Sequence, residues 1–120
     1  MRIAELNVES VDRVVIARLE GESDLSNATD LGAAIAAKVP NDALGIVIDL
    51  TDVDYVESAG IHVLFELRSR LRARGQELRL VVPSEAEIFQ ALQVAFVPSA
   101  VPVFNSLEAA AASVSEKRGS

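Results

Sequence analysis

The sequence predicts an α/β protein: one domain with an N-terminal β-hairpin, then βα alternation, and hence a mixed, mostly parallel sheet with helices packed on it. Three observations predict it. The first two apolar stretches both have strand spacing and are separated by a short turn. After them, short apolar runs alternate with segments of helical periodicity. Half of the 120 residues are apolar but only 4% are aromatic, so the core must be built from Val, Leu, Ile and Ala. That composition suits a parallel sheet covered by helices, and the length suits a single domain.

Ile3 to Val8 alternates apolar and polar residues, which is the pattern of a half-buried strand. Val14, Val15 and Ile16 open a β-branched second strand that ends near Leu19, and Ser10, Asp12 and Arg13 supply the turn. Gly21 to Asp24 breaks the pattern. Asp24 or Ser26 can then cap a helix carrying Leu25, Ala28, Leu31, Ile35 and Val39 at helical spacing, which Pro40 stops. Leu44 to Leu50 is an almost continuous apolar run and reads as a central strand buried on both faces.

A polar, acidic stretch runs from Thr51 to Ser58. A long helix then extends from Ala59 or Gly60 to about Arg74, with Ile61, Leu64, Leu67 and Leu71 inward and Gly75 at its end. Leu78 to Val82 is the next strand, closed by Pro83. Ser84 can cap a helix with Ile88, Ala91, Leu92 and Ala95 inward, and Glu87 can complete a capping box. Val101 to Phe104 is a short last strand, and Ser106 caps an Ala-rich final helix. The order is ββαβαβαβα. Residues 1–115 are expected to form the domain, with 116–120 a polar, frayed tail.

The formal charge is −7. Phosphate backbones recruit clustered Lys and Arg, so nucleic acid is not an expected partner. Arg68, Arg70, Arg72 and Arg74 do cluster, but near a helix C-terminus, where they complement the dipole as a solvated face. With no Cys, thiolate catalysis and Cys-based metal sites are excluded. The single His62 has no nucleophile and orienting group at a recognisable spacing, so no catalytic residues are expected. The acids Asp49, Asp52, Asp54 and Glu57 resemble the makings of a divalent-cation site, but a polar loop after a strand is often acidic by chance; no metal and no cofactor are expected. There is no basic segment followed by an apolar run at the N-terminus and no stretch of membrane-spanning length. The expected location is the cytoplasm, without membrane insertion.

The informative segment is Asp54-Tyr55-Val56-Glu57-Ser58-Ala59-Gly60-Ile61. It lies just past the central strand and opens the longest helix. In open α/β sheets binding sites gather at that edge, and free N–H groups at a helix start favour an anion. Gly60 lets a partner approach the backbone closely. The plain structural roles stand beside this reading: Ser58 as an N-cap and Gly60 as a close-packing residue.

Several motifs resemble those of the STAS family, in order and along nearly the whole chain. Glu57-Ser58-Ala59-Gly60-Ile61 is similar to the family's Asp-Ser-Ser/Thr-Gly-Leu/Ile segment. Gly21-Glu22-Ser23-Asp24-Leu25 is similar to its Gly-acid-x-Asp-Leu segment. Ile46-Val47-Ile48-Asp49-Leu50 looks like its apolar strand ending in Asp-Leu, and Phe104-Asn105-Ser106-Leu107-Glu108-Ala109 like its closing strand and helix. The resemblance implies a protein-binding module of the anti-sigma-factor antagonist branch. Such a module binds a serine-kinase-type anti-sigma factor, which frees a sigma factor for transcription. The implied partner face is Ser23, Asp24, Leu25, Glu57, Ser58, Ala59, Gly60, Ile61 and His62, with apolar contact from Ile61 and Val63. Asp24 equally fits a helix cap.

The kinase of that branch ends the association by phosphorylating the second hydroxyl residue of the motif, and here that position is Ala59. Two expectations arise: an unswitched binder, or a switch transferred to Ser58. The same domain type also serves as an accessory subunit of lipid-transporting ATP-binding-cassette complexes and as a signalling scaffold. A nucleotide-binding role is a further alternative, although the chain has no Gly-x-x-x-x-Gly-Lys phosphate loop.

Overall fold

The computed structural model describes residues 5–21, 28–53, 58–94 and 101–119. The chain runs through β1 (Glu5–Val11), β2 (Val14–Gly21), α1 (Ala28–Ala37), β3 (Gly45–Val53) and α2 (Ser58–Ala73). It continues through β4 (Glu77–Val81), α3 (Glu87–Val94), β5 (Val103–Phe104) and α4 (Leu107–Gly119). One sheet has the order β1-β2-β3-β4-β5. β1 is antiparallel to β2, and every later pairing is parallel. The expected element order and mixed sheet are those observed.

Each new parallel strand adds on the same side of the last. Right-handed crossovers, the near-universal hand, then put the connecting helices on one face of the sheet. Ile46, Ile48 and Leu50 of β3 and Leu80 of β4 meet Ile35 of α1, Leu67 and Leu71 of α2 and Leu92 of α3 in the main core. α4 packs on the other face, where Val14, Val47 and Val81 meet Ala110 and Val114. The period-two alternation of β3 feeds both cores, which is why its sequence reads as a continuous apolar run.

Local chemistry sets the boundaries. The hairpin turn is Asp12-Arg13, and both residues have positive φ (52° and 69°). Two consecutive left-handed residues are the type I′ geometry whose twist matches paired strands. β1 therefore extends to Val11, and Ser10 sits in the strand opposite Val15 rather than in the turn. Gly75, at φ 74°, ends α2. Its N–H bonds the Arg72 carbonyl (3.0 Å) and the Gln76 N–H bonds the Leu71 carbonyl (2.8 Å), a Schellman motif. Ser106 caps α4 as expected, its Oγ accepting from the Ala109 N–H at 3.2 Å.

One expectation is corrected and another is extended. α3 begins at Glu87, so Ser84 does not cap it. Ser84 lies in the preceding turn, closed by the Ala86 N–H on the Pro83 carbonyl, and its Oγ faces Glu85. The backbone needs that extra turn to leave β4 at Pro83. The arginines at the end of α2 do more than face solvent. Arg70, Arg72 and Arg74 are exposed as expected, and Arg74 Nη2 also donates to the Val39 carbonyl (2.6 Å) and Asn41 Oδ1 (3.0 Å). With Gln76 Nε2, which donates to Pro40 and Ala43 carbonyls, it clamps the α1–β3 connection onto the end of α2.

Candidate functional site

The expected face falls on the two connections that follow β2 and β3. β2 ends at Gly21 and β3 at Val53, and these two residues are register partners in the parallel ladder. The connection from Gly21 leads to α1 and that from Val53 leads to α2, and the two helices pack on each other. Their approach is close: a Cβ on Gly32 of α1 would stand 2.9 Å from Val63 Cγ1 of α2. The carboxyl edge of a parallel sheet is where such connections form binding sites. Ser23, Asp24, Leu25 and Glu57 lie outside the described residues.

Ser58, Ala59 and Gly60 form the first turn of α2. The helix begins at Ser58, a residue earlier than expected, so Ser58 is its first helical residue. No acidic side chain occupies this turn, so no side chain there offsets the positive end of a 16-residue helix dipole. His62 is well exposed, with Nε2 3.6 Å from Glu66 Oε1 one turn on. Ile61 is half-buried and packs against the main core. Val63 is buried at the crossing with α1 and is not available to a partner, contrary to expectation. At about 100° per residue, the face holding Leu64, Leu67 and Leu71 turns Val63 inward as well.

One polar arrangement escaped the sequence reading. Between Arg18↔Asp49 and Glu20↔Asp52, β3 carries one residue more than β2, a bulge. Asp49, only 7% exposed, holds it together. Its Oδ1 accepts from the Thr51 N–H (3.0 Å) and from the Thr51 hydroxyl, and its Oδ2 accepts from Arg18 Nε (3.3 Å). A bulge bends its strand and can re-aim the chain beyond it, so this network sets the direction in which β3 leaves toward α2. The available signal was Asp49-x-Thr51, the spacing at which an Asp side chain bonds the backbone two residues on. Asp49 is thereby committed to structure rather than to a cation. Among the described residues, no group of three or more His, Cys, Asp or Glu side chains could hold a metal ion. No helix there is long and apolar enough to cross a membrane.

The STAS domain model matches residues 5–110, nearly the whole described fold. The chain belongs to the STAS family. A relative among curated proteins is BtrV of Bordetella bronchiseptica, provisionally named an anti-sigma factor antagonist. It is 36% identical over 110 residues, which cover 90% of this chain and 92% of BtrV. The crystal structure of an anti-sigma factor antagonist from Mycobacterium paratuberculosis superposes with a TM-score of 0.80 at 25% identity, covering 93% of this chain and 94% of the other. A sulfate transporter family protein from Wolinella succinogenes shares the STAS fold at a TM-score of 0.72 and 17% identity, covering 93% of each chain. The last likeness is one of fold alone, and STAS architecture thus occurs in proteins of differing description.

Proposed function

We propose that the chain is an anti-sigma-factor antagonist, a binding protein without catalysis. It binds a serine-kinase-type anti-sigma factor in the cytoplasm and so regulates sigma-dependent transcription. The face is Ser23 to Leu25 together with Glu57 to His62. The observation that supports this reading is the pairing of Gly21 with Val53, the last residues of the two strands that precede the motif segments. The relatives described as anti-sigma factor antagonists support the partner class.

In this reading Ala59 leaves the protein without the usual off-switch. A phosphate at that position would add about −1.5 to −2 charges to a packed interface, and alanine cannot accept one. The binder is therefore constitutive and competes with switched antagonists for the same partner.

The test is native mass spectrometry of the purified chain with the kinase-type anti-sigma factors of its host and ATP. A complex without added mass is the expected result. Ser58→Glu and Gly60→Trp should each abolish it without unfolding the chain. Ala59→Ser should gain one phosphoryl group and then dissociate. A wild-type complex that dissolves as Ser58 is phosphorylated would overturn the constitutive reading. Failure to bind any such factor would overturn the sigma-factor reading, and the role of accessory subunit or scaffold would then stand first.

A further inference from the structure

The two faces of the sheet are unequally covered. Four inter-strand spacings of about 4.8 Å make the sheet roughly 19 Å across, and a helix with its side chains is about 10 Å wide. Each face therefore has room for more than one helix. α1, α2 and α3 pack on one face. On the other, α4 packs chiefly over β3 and β4. Beside it, along the β1–β2 hairpin, runs a groove of about 330 Å³ that is open among the described residues.

The groove is apolar within and acidic at its rims. Val14 and Ile16 of β2, both already largely buried, underlie the floor, Val11 of β1 stands on one side, and Leu107, Ala111 and Ala112 of α4 on the other. Val11 is half exposed, the one large hydrophobic residue so exposed among those described. The small side chains of α4 let another backbone come close. Its lining from Leu107 to Ser115 covers eight helical steps, about 12 Å, or two turns of a guest helix. Asp12 lines the groove at the hairpin tip and Glu108 near the start of α4. Glu9 shares the face, being the cross-strand partner of Ile16. All three are exposed, and none has a basic partner among the described side chains. The nearby Arg18 is committed to Asp49.

We propose that this groove docks an amphipathic α-helix of a partner protein, with a small aliphatic seam flanked by lysine or arginine. Charge decides between occupants. A second copy of this chain would bring its own acidic surface, at net charge −7, against Asp12 and Glu108. A basic-flanked helix meets the opposite sign at both ends of an apolar floor, the arrangement that steers and orients association. The groove lies on the α4 face of the sheet and α2, which carries Ser58 to His62, packs on the other, so the two contacts are proposed as separate.

The test uses the 15N-labelled full chain and two synthetic helix-forming peptides with the same Leu/Ala seam, one flanked by Lys and one by Glu. The Lys peptide should shift amide resonances of Val11, Asp12, Ile16, Leu107, Ala112 and Ser115, and bind at least about tenfold more tightly than the Glu peptide. Ala112→Arg, at an exposed position, should abolish binding with the fold intact, and Glu108→Lys should narrow the preference between the peptides. Shifts elsewhere, equal affinity for both peptides, or no binding would overturn the proposal. So would a dimer in sedimentation velocity that Ala112→Arg dissolves, because it would assign the groove to a second copy. Anti-sigma-factor binding should be unchanged in Ala112→Arg, which separates failure here from failure of the other face.

Discussion

A Cβ on Gly45 would fall onto the backbone carbonyl oxygen of Glu77 and stand 2.9 Å from its nitrogen, in the neighbouring strand. Backbone atoms in a ladder cannot step aside without breaking register. Gly45→Ala should therefore cost about 1–3 kcal/mol, as overpacking does, read as a lower urea midpoint at unchanged slope. Gly32→Ala is the informative contrast. The clash there is with a side chain, Val63, and alanine is favoured over glycine inside a helix by about 1 kcal/mol. The two effects oppose each other, and the net change should be smaller than at Gly45. Equal losses at both positions would contradict this account. Both glycines are visible in the sequence, but the atoms that each approaches belong to residues far away along the chain.

Among the elements, the hairpin holds the clearest unused stability. Asp12 and Arg13 both sit at positive φ, which costs an L-residue about 1–2 kcal/mol. Asn-Gly is the sequence that type I′ turns prefer. Arg13 recovers part of the cost through its exposed Nε bond to the Asp42 carbonyl, at 3.0 Å. Asp12→Asn with Arg13→Gly should still raise stability by about 1 kcal/mol, seen as a higher melting temperature by calorimetry. A lower melting temperature would mean that the Arg13 contact matters more than the turn geometry. The hairpin was legible because two strand patterns flank a short polar stretch. Its turn type was not, because Asp-Arg is not a residue pair that announces a type I′ turn. The cap of α4 was legible for the opposite reason: Ser106 acts on a backbone N–H three residues away, within the span that a local pattern describes. Ser84 had the same pattern, yet a turn intervened before α3.

For the whole molecule, the net charge of −7 acts with opposite sign on folding and on association. Self-repulsion destabilises the compact chain, and salt screens it, with a Debye length of about 10 Å at 0.1 M. Raising salt from low ionic strength to that range should therefore increase the urea midpoint. The same salt should slow association with a basic partner surface, because steering is screened too. Measuring both on one preparation separates the effects. A stability that falls with salt would mean that specific ion pairs such as Arg18–Asp49 and Arg79–Glu77 outweigh the net repulsion.

The sequence by itself determined the element order, the mixed sheet and the family, because hydrophobic period, turn residues and short motifs are local properties that a single chain displays. It also located the two candidate binding segments. The fold added that the strands preceding these segments end at paired residues, Gly21 and Val53. It alone decided that Asp49 holds a β-bulge through Thr51 and Arg18, and that the exposed Arg74 also clamps a loop. Among the described residues, it left one flank of the sheet open beside α4. Each of these depends on which residues meet across the fold, and that is set by strand register and helix packing, which no local period encodes.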